Sequence, residues 1–333
     1  MLHDRAAHGD LPMRNIAVYI RSMRFLGGQI VTWPLLYALH KHWPDSQVRI
    51  VARDSVAHQY TCLPWPVEFV HAQGFWGLLG GMPRRTDMML ALHYSSERYG
   101  LFAAIRRPKL RLGFQNSRLL DRVWTHAWPK DFDEYLGLAN MRLLSRVLPV
   151  DIEANARECF QAIAATSLAT DARTDVVMMP GGGAGHYKRW SLDNYLSVLQ
   201  MMRARFGQHL SFAFVLGPDE QSEHDRLQAL NLPGVSVLMS RPLADIARIC
   251  LGARLVVAND CGPSHIAQGA CVPYVAIINE PNPQWFWARP YARCVTPAGA
   301  DSGNIHSIAP EQVMSACEAL WTLNRAESAS TLH

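Results

Sequence analysis

Charge is scarce in this chain: Asp, Glu, Lys and Arg make up 18% of its 333 residues, and the formal net charge is +4. So small a balance does not support a nucleic-acid groove, and no nucleic-acid-binding motif accompanies it. No apolar run is long enough to cross a bilayer. Met1 to Met13 is polar and has no apolar signal core, so a cytoplasmic protein is expected. The seven cysteines include no Cys-x-x-Cys pair and no metal-ligand spacing with histidine, which leaves reduced, mostly buried thiols. There is no internal repeat and no low-complexity tract. No Asp-x-Asp pair follows an apolar strand pattern, so no metal is expected. Apolar residues are plentiful instead, at 49%, ample for the two packed cores that the length allows.

The richest stretch is Leu255-Val256-Val257-Ala258-Asn259-Asp260-Cys261-Gly262-Pro263-Ser264-His265-Ile266-Ala267. It reads as a buried strand, a polar glycine turn, and a helix with proline in its first turn. Such a turn leaves backbone N–H groups at the positive end of a helix dipole, and Ser264 and His265 can add side-chain donors. A phosphate is the natural guest, although an ordinary strand–turn–helix reads the same way.

A second segment, Val176-Val177-Met178-Met179-Pro180-Gly181-Gly182-Gly183-Ala184-Gly185, runs from a buried strand into a glycine-rich loop. Lys188-Arg189-Trp190 follows, and Ser191 reads as the N-cap of a helix carrying Leu192, Tyr195, Leu196 and Leu199. The glycines admit close backbone approach, and Lys188 brings a mobile positive charge. Lys188 lacks the flanking Gly and Ser/Thr of a P-loop. His186 stands where a dinucleotide fingerprint needs its third glycine. Two phosphate-type loops in one half of the chain favour a nucleoside diphosphate.

Together these residues resemble glycosyltransferase family 9, the heptosyltransferases. Lys188-Arg189-Trp190-Ser191 is similar to the family's Lys-x-Trp-Pro. Asn259 to Ala270 is similar to its Asn-Asp-Ser-Gly-Pro-x-His-x-Ala-x-Ala, and Gly217-Pro218-Asp219-Glu220 to its Gly-Pro-x-Glu. The resemblance implies an α/β chain of GT-B architecture, two facing Rossmann-like domains with parallel sheets and a cleft between them. Residues 13–165 would be the acceptor side. Residues 172–325 would bind the sugar nucleotide, with the last helix packing back on the first domain. It also implies inverting transfer of a sugar, heptose from ADP-heptose, to a lipopolysaccharide or other surface-glycan acceptor. The sugar nucleotide is then a substrate, and no cofactor or metal is needed. For the sugar nucleotide the residues are Gly182, Gly183, Lys188, Glu220 (on the ribose), Asp260 (shaping the turn), Cys261, Gly262, Pro263, Ser264 and His265. Trp285, Phe286 and Trp287 either wall that site or pack as core and lip.

The alternation of apolar strand and helix patterns agrees with two such domains. Asn15 to Ile20 reads as the first strand, with Gly27 and Gly28 in the turn after it. Ala154 to Ala165 reads as a linking helix, Ala169 to Asp175 as the linker, and Pro310 to Leu323 as the last helix. Between Arg98 and Arg122 basic residues dominate. Arg98, Arg106 and Arg107 are read either as a ledge for an anionic acceptor or inner-membrane surface, or as a solvated face. One departure stands out. Where the family carries Leu-Gly-Asp with its aspartate base, this chain reads Leu26-Gly27-Gly28-Gln29. His93 and Glu97 are the candidate replacements, with Asp54 a further one. Three readings remain open: a transferase, a non-catalytic relative that binds sugar nucleotides as an assembly subunit, and a sugar-nucleotide epimerase.

Overall fold

The computed structural model describes residues 12–21, 23–94, 97–115, 119–170, 173–183 and 185–330. The chain divides into two compact units, 1–159 and 160–333.

The N-terminal unit contains β1 (Asn15–Tyr19), α1 (Leu26–Ile30), α2 (Trp33–His42), β2 (Gln47–Ala52), β3 (Glu68–His71) and α3 (Gly74–Gly81). β4 (Met88–Ala91), α4 (Glu97–Arg106), β5 (Leu110–Phe114), β6 (His126–Trp128) and α5 (Leu136–Leu144) follow. Its six strands are ordered β3-β2-β1-β4-β5-β6 and each paired neighbour runs parallel. β1 and β4 are buried along nearly their whole length, as a sheet covered on both faces requires. On one face Leu78 and Leu79 of α3 and Tyr99, Phe102 and Ala103 of α4 pack on Ala17, Tyr19, Met89 and Ala91. Strand order reverses between β1 and β4, which makes their carboxyl ends the ligand crevice of such a sheet.

One local expectation is corrected. Gly27 and Gly28 do not form an open turn; they lie in α1, buried. Gln29 fixes that helix: it is fully buried, its Nε2 donates to the Met23 carbonyl at 2.6 Å and its Oε1 accepts from the Tyr60 hydroxyl at 2.6 Å.

α6 (Ile152–Ala164) is the expected linking helix, but the division falls within it, between Cys159 and Phe160. Phe160 belongs to the second unit because its ring occupies the place a side chain at Gly269 would take, 2.0 Å from such a Cβ. Residues 171 and 172 of the expected linker lie outside the described residues.

The C-terminal unit contains β7 (Val176–Met179), α7 (Leu192–Phe206), β8 (Phe212–Leu216), α8 (Gln221–Leu230), β9 (Val235–Met239) and α9 (Leu243–Gly252). β10 (Leu255–Asn259), α10 (Ser264–Gly269), β11 (Tyr274–Ile277), β12 (Ala292–Val295) and α11 (Pro310–Ser330) complete it. Its order is β12-β11-β10-β7-β8-β9, again parallel throughout, with the reversal between β7 and β10. Ser191 does cap α7, accepting from the Asn194 N–H. The buried residues Val313, Cys317, Leu320 and Trp321 of the last helix share the core of this unit with α7 and the sheet.

Candidate functional site

The two phosphate-type loops leave adjacent strands. β7 and β10 pair in parallel, so the glycine loop and the Asp260–His265 turn start side by side at the point of strand reversal. Asn259, fully buried at the end of β10, ties them together. Its Nδ2 donates to the Pro180 carbonyl at 2.6 Å and its Oδ1 accepts from the Tyr195 hydroxyl at 3.0 Å. A second tie is ionic: Lys188 Nζ lies 2.5 Å from Asp260 Oδ2, both side chains being largely buried. Asp260 thus shapes the site by holding the lysine, not only by turning the chain.

Glu220 is buried and firmly held. Oε2 accepts from the Gly217 N–H at 2.7 Å, and Oε1 pairs with Arg189 Nη2 at 3.0 Å. A Cβ at Gly181 would stand 3.0 Å from this carboxylate, and one at Gly217 would stand 2.9 Å from it. Arg189 also donates to the Gly182 and Asp219 carbonyls and so braces the loop from behind. Gly183 faces open space, where a ligand can approach the backbone.

The start of α10 differs from the expected cradle. The N–H groups of Ser264, His265 and Ile266 bond back to the carbonyls of Cys261, Gly262 and Pro263 in tight turns. The Ser264 hydroxyl donates to the Cys261 carbonyl at 2.7 Å. Each of these donors is taken up by an i→i−3 bond, so α10 begins as a 3₁₀ turn. His265 is buried, which lowers its imidazole to about 4 despite the pull of Asp260, so the ring is neutral near pH 7. Burial pushes the Cys261 thiol up to about 12, which removes any nucleophilic thiolate. Of the three consecutive aromatics, Trp285 lies half-buried with its ring 5.4 Å from His265, while Trp287 is core, beneath the Arg289 guanidinium at 4.2 Å. Gln268 holds this turn to α10 through the Trp285 carbonyl and the Trp287 N–H.

In the N-terminal unit the slot expected for a base is crowded. A Cβ on Gly28 would meet Met23 Cβ and Sδ at 3.1 Å, so Met23 must give by a few tenths of an ångström to admit a side chain there. His93 follows β4, its ring stacked on Tyr99 at 4.9 Å and bonded to the Ile20 backbone. Burial first, then Arg21 and Arg53, lower it to about 4. The neutral ring is a weak base. Glu97 opens α4, and its side chain lies outside the described residues. Asp54 sits after β2, 3.6 Å from Arg24.

The three acceptor arginines separate. Arg98 is exposed at the start of α4 and Arg107 is exposed beyond its end. Arg106 turns inward and donates to the Leu79 carbonyl at 3.2 Å, because position 106 falls on the buried side of α4 with Tyr99, Phe102 and Ala103. It braces α3 and is not presented to an acceptor.

Sequence reading missed several residues: Asn259 as a tie, Arg189, Arg21 and Glu134. Arg21 lies over the Tyr94 ring at 4.0 Å, donates to the Leu92 carbonyl, and carries a buried Nη2 with no partner among the described residues. Glu134 is buried, its carboxyl raised by that burial, while it pairs with Arg142 and accepts from Trp128. Arg189, beside Lys188, and Asn259, at the head of the signature, lay within motifs visible beforehand; Arg21 and Glu134 did not. No group of three or more metal-ligating side chains occurs among the described residues.

The fold is that of known sugar-nucleotide enzymes. The chain superposes on E. coli heptosyltransferase WaaC with ADP-2-deoxy-2-fluoro heptose at a TM-score of 0.65, with 15% identity over 91% of this chain and 99% of that one. A glycosyl transferase family 9 protein from Veillonella parvula gives 0.63, with 20% identity over 94% and 98%. UDP-GlcNAc 2-epimerase from Methanocaldococcus jannaschii gives 0.53, with 12% identity over 92% of each chain. The GT-B fold is therefore shared by transferases and epimerases and does not choose between them. No curated protein matches the chain in sequence. The family model decides: that of glycosyltransferase family 9 (heptosyltransferase) matches residues 98–316, a span that includes both phosphate-type loops and the Glu220 clamp, and the chain belongs to that family.

Proposed function

We propose that the chain is an inverting glycosyltransferase that moves heptose from ADP-heptose to an anionic glycan or glycolipid of the lipopolysaccharide type. The reaction takes place on the cytoplasmic side of a membrane. The observation that carries this reading is the Lys188–Asp260 bridge, which joins the glycine loop to the signature turn across two adjacent strands. A nucleoside diphosphate leaving group needs its growing charge met as the glycosidic bond breaks. Lys188 supplies the cation and the glycine loop the close backbone approach, with Gly183 as the open position. Glu220, fixed by Arg189 and Gly217, is the ribose partner. Gly262 and Pro263 set the turn that carries Ser264 and His265. The neutral His265 and the half-buried Trp285 line the sugar side. At the strand ends of the N-terminal unit, Arg98 with Arg53 and Arg21 meets the acceptor's negative charge, and Glu97 or His93 takes its proton.

A second reading is favoured by two observations. Met23 crowds the slot at Gly28, and His93 resists protonation, as expected of a relative that binds sugar nucleotides without transfer. One experiment separates the two. Nucleotide sugars are screened by thermal shift, and the ligand that stabilises the chain is then assayed for transfer and hydrolysis with and without chelator. Metal-independent transfer from ADP-heptose supports the first reading. Stabilisation without turnover supports the second, and no stabilisation by any nucleoside diphosphate sugar removes both.

A further inference from the structure

Trp76 of α3 is 79% exposed, and Leu101 and Ile105 of α4 are each 49% exposed. The two helices lie side by side on one face of the N-terminal sheet. The rings of Phe75 and Phe102 meet at 5.1 Å, and Arg106 reaches the Leu79 carbonyl. The outer positions are not needed by the core, which Tyr99, Phe102 and Ala103 already fill. Arg98, Leu101 and Ile105 follow one another at i, i+3 and i+7 and form a stripe along the outer side of α4. α3 reads Gly74-Phe75-Trp76-Gly77-Leu78-Leu79-Gly80-Gly81, without a single polar side chain. Half of it is glycine, a poor helix former, so it makes an improbable helix to leave facing water.

The charge around this face is mainly positive, with Asp121 in the turn beside Arg122 the acidic neighbour. Arg84 and Arg85 after α3, Arg107 after α4 and Arg122 in the turn packed on α4 are exposed, and none has a carboxylate partner among the described residues. The nearby Asp87 is already engaged by Lys109 at 3.3 Å and by the N–H groups of Arg14 and Asn15. Separate apolar anchors, tryptophan among them, set in unpaired arginines suit a headgroup layer better than they suit a protein groove.

We propose that this face docks on an anionic bilayer, with Trp76, Leu101 and Ile105 entering the headgroup layer and Arg84, Arg85, Arg107 and Arg122 meeting lipid phosphates. The proposal deepens the membrane-proximal part of the proposed function. It is tested without any sugar nucleotide, so failure of docking and failure of transfer are distinguishable. The full chain is floated with vesicles of phosphatidylcholine alone or mixed with phosphatidylglycerol, at low and raised salt. Binding is expected only to the anionic vesicles and should weaken as salt rises. Trp76→Ser with Leu101→Ser should reduce partitioning about tenfold or more. Arg84→Glu and Arg85→Glu should each cost about fivefold or more. Leu168→Ser, at a 94% exposed position of the other unit, should change nothing. Thermal melts verify folding of the variants. The proposal is overturned by equal binding of the wild type and the Trp76/Leu101 variant, or by no preference for anionic lipid. Self-association in sedimentation velocity that Trp76→Ser abolishes would also overturn it, by assigning the face to a second copy of the chain.

Discussion

The two units carry sheets of equal size and the same reversal of strand order, yet their strand ends are chemically opposite. At the ends of β7, β8 and β10 the charges are paired: Lys188 with Asp260, Arg189 with Glu220. At the ends of β1, β2 and β4 positive charge predominates: Arg21 and Arg53 act on a histidine kept neutral, Arg53 and Arg98 on Tyr99, and Asp54 sits beside Arg24. The first arrangement is complete without a ligand and is held in shape by its own charges. In the second, cations outnumber the described carboxylates, and Asp54 is already beside Arg24. One fold serves as a prebuilt holder in one place and as an unfinished cationic rim in the other.

That contrast is broken most severely at the proton acceptor. A positioned base is worth roughly 10²–10⁴-fold in rate, so Glu97→Gln should lower kcat by that order if the rim is catalytic. His93→Ala should cost less than about tenfold, because a ring lowered to about 4 is a poor base. Steady-state rates of the two variants check this. A reversed order would give the proton to His93, and the acid limb of the rate profile would then fall near pH 4, well below an ordinary imidazole.

Next comes the paired site. Lys188→Ala removes a cation and leaves Asp260 facing the diphosphate, so affinity for a nucleoside diphosphate should fall roughly 100-fold and that for the nucleoside far less. Adding Asp260→Asn should restore part of the loss. Calorimetric titration of the two ligands decides it. An equal loss for both would mean that the pair is a structural strut.

A smaller effect is expected at Gly28. Gly28→Asp must push Met23 aside, so it should destabilise the fold by about 1–3 kcal/mol and bring no gain in transfer. Denaturant melts and a rate assay test the two halves of that statement. A faster variant of unchanged stability would show that the slot is open after all.

The smallest expected change concerns acid stability. His265 is lowered to about 4 from 6.5 in the folded chain, so the unfolded chain takes up the proton first. Stability should fall as pH drops from about 6.5 to about 4 and be unaffected by this group above that window. Thermal melts of His265→Gln should show a flatter slope there than wild type.

Legibility in the sequence followed the same contrast. The two C-terminal loops could be read because their parts are short-range: strand, glycines, lysine and turn follow one another in two continuous stretches. The doubly wound sheets were legible for a similar reason, since buried parallel strands are unbroken apolar runs such as Val176 to Met179 and Leu255 to Ala258. The N-terminal site was not legible, because Arg21, Arg53 and His93 become neighbours only when three strands from distant parts of the chain align. Gly28 misled for a different reason. A glycine in sequence looks like empty space, but what fills that space is Met23, five residues earlier and pressed back by the turn into α1. Arg106 looked like Arg98 and Arg107 until helix phase separated an inner from an outer side.

Glu220 has a consequence for how this chain can be altered. Its carboxylate lies where the side chains of positions 181 and 217 would otherwise be, so two glycines on different strand ends are fixed by one acid. The three positions can change only as a set. A graft that moves the glycine loop onto another scaffold without Gly217 and Glu220 should bring a collision with it. Directed evolution that randomises position 181 alone should return glycine, and larger residues should appear there only in libraries where Glu220 is allowed to shorten.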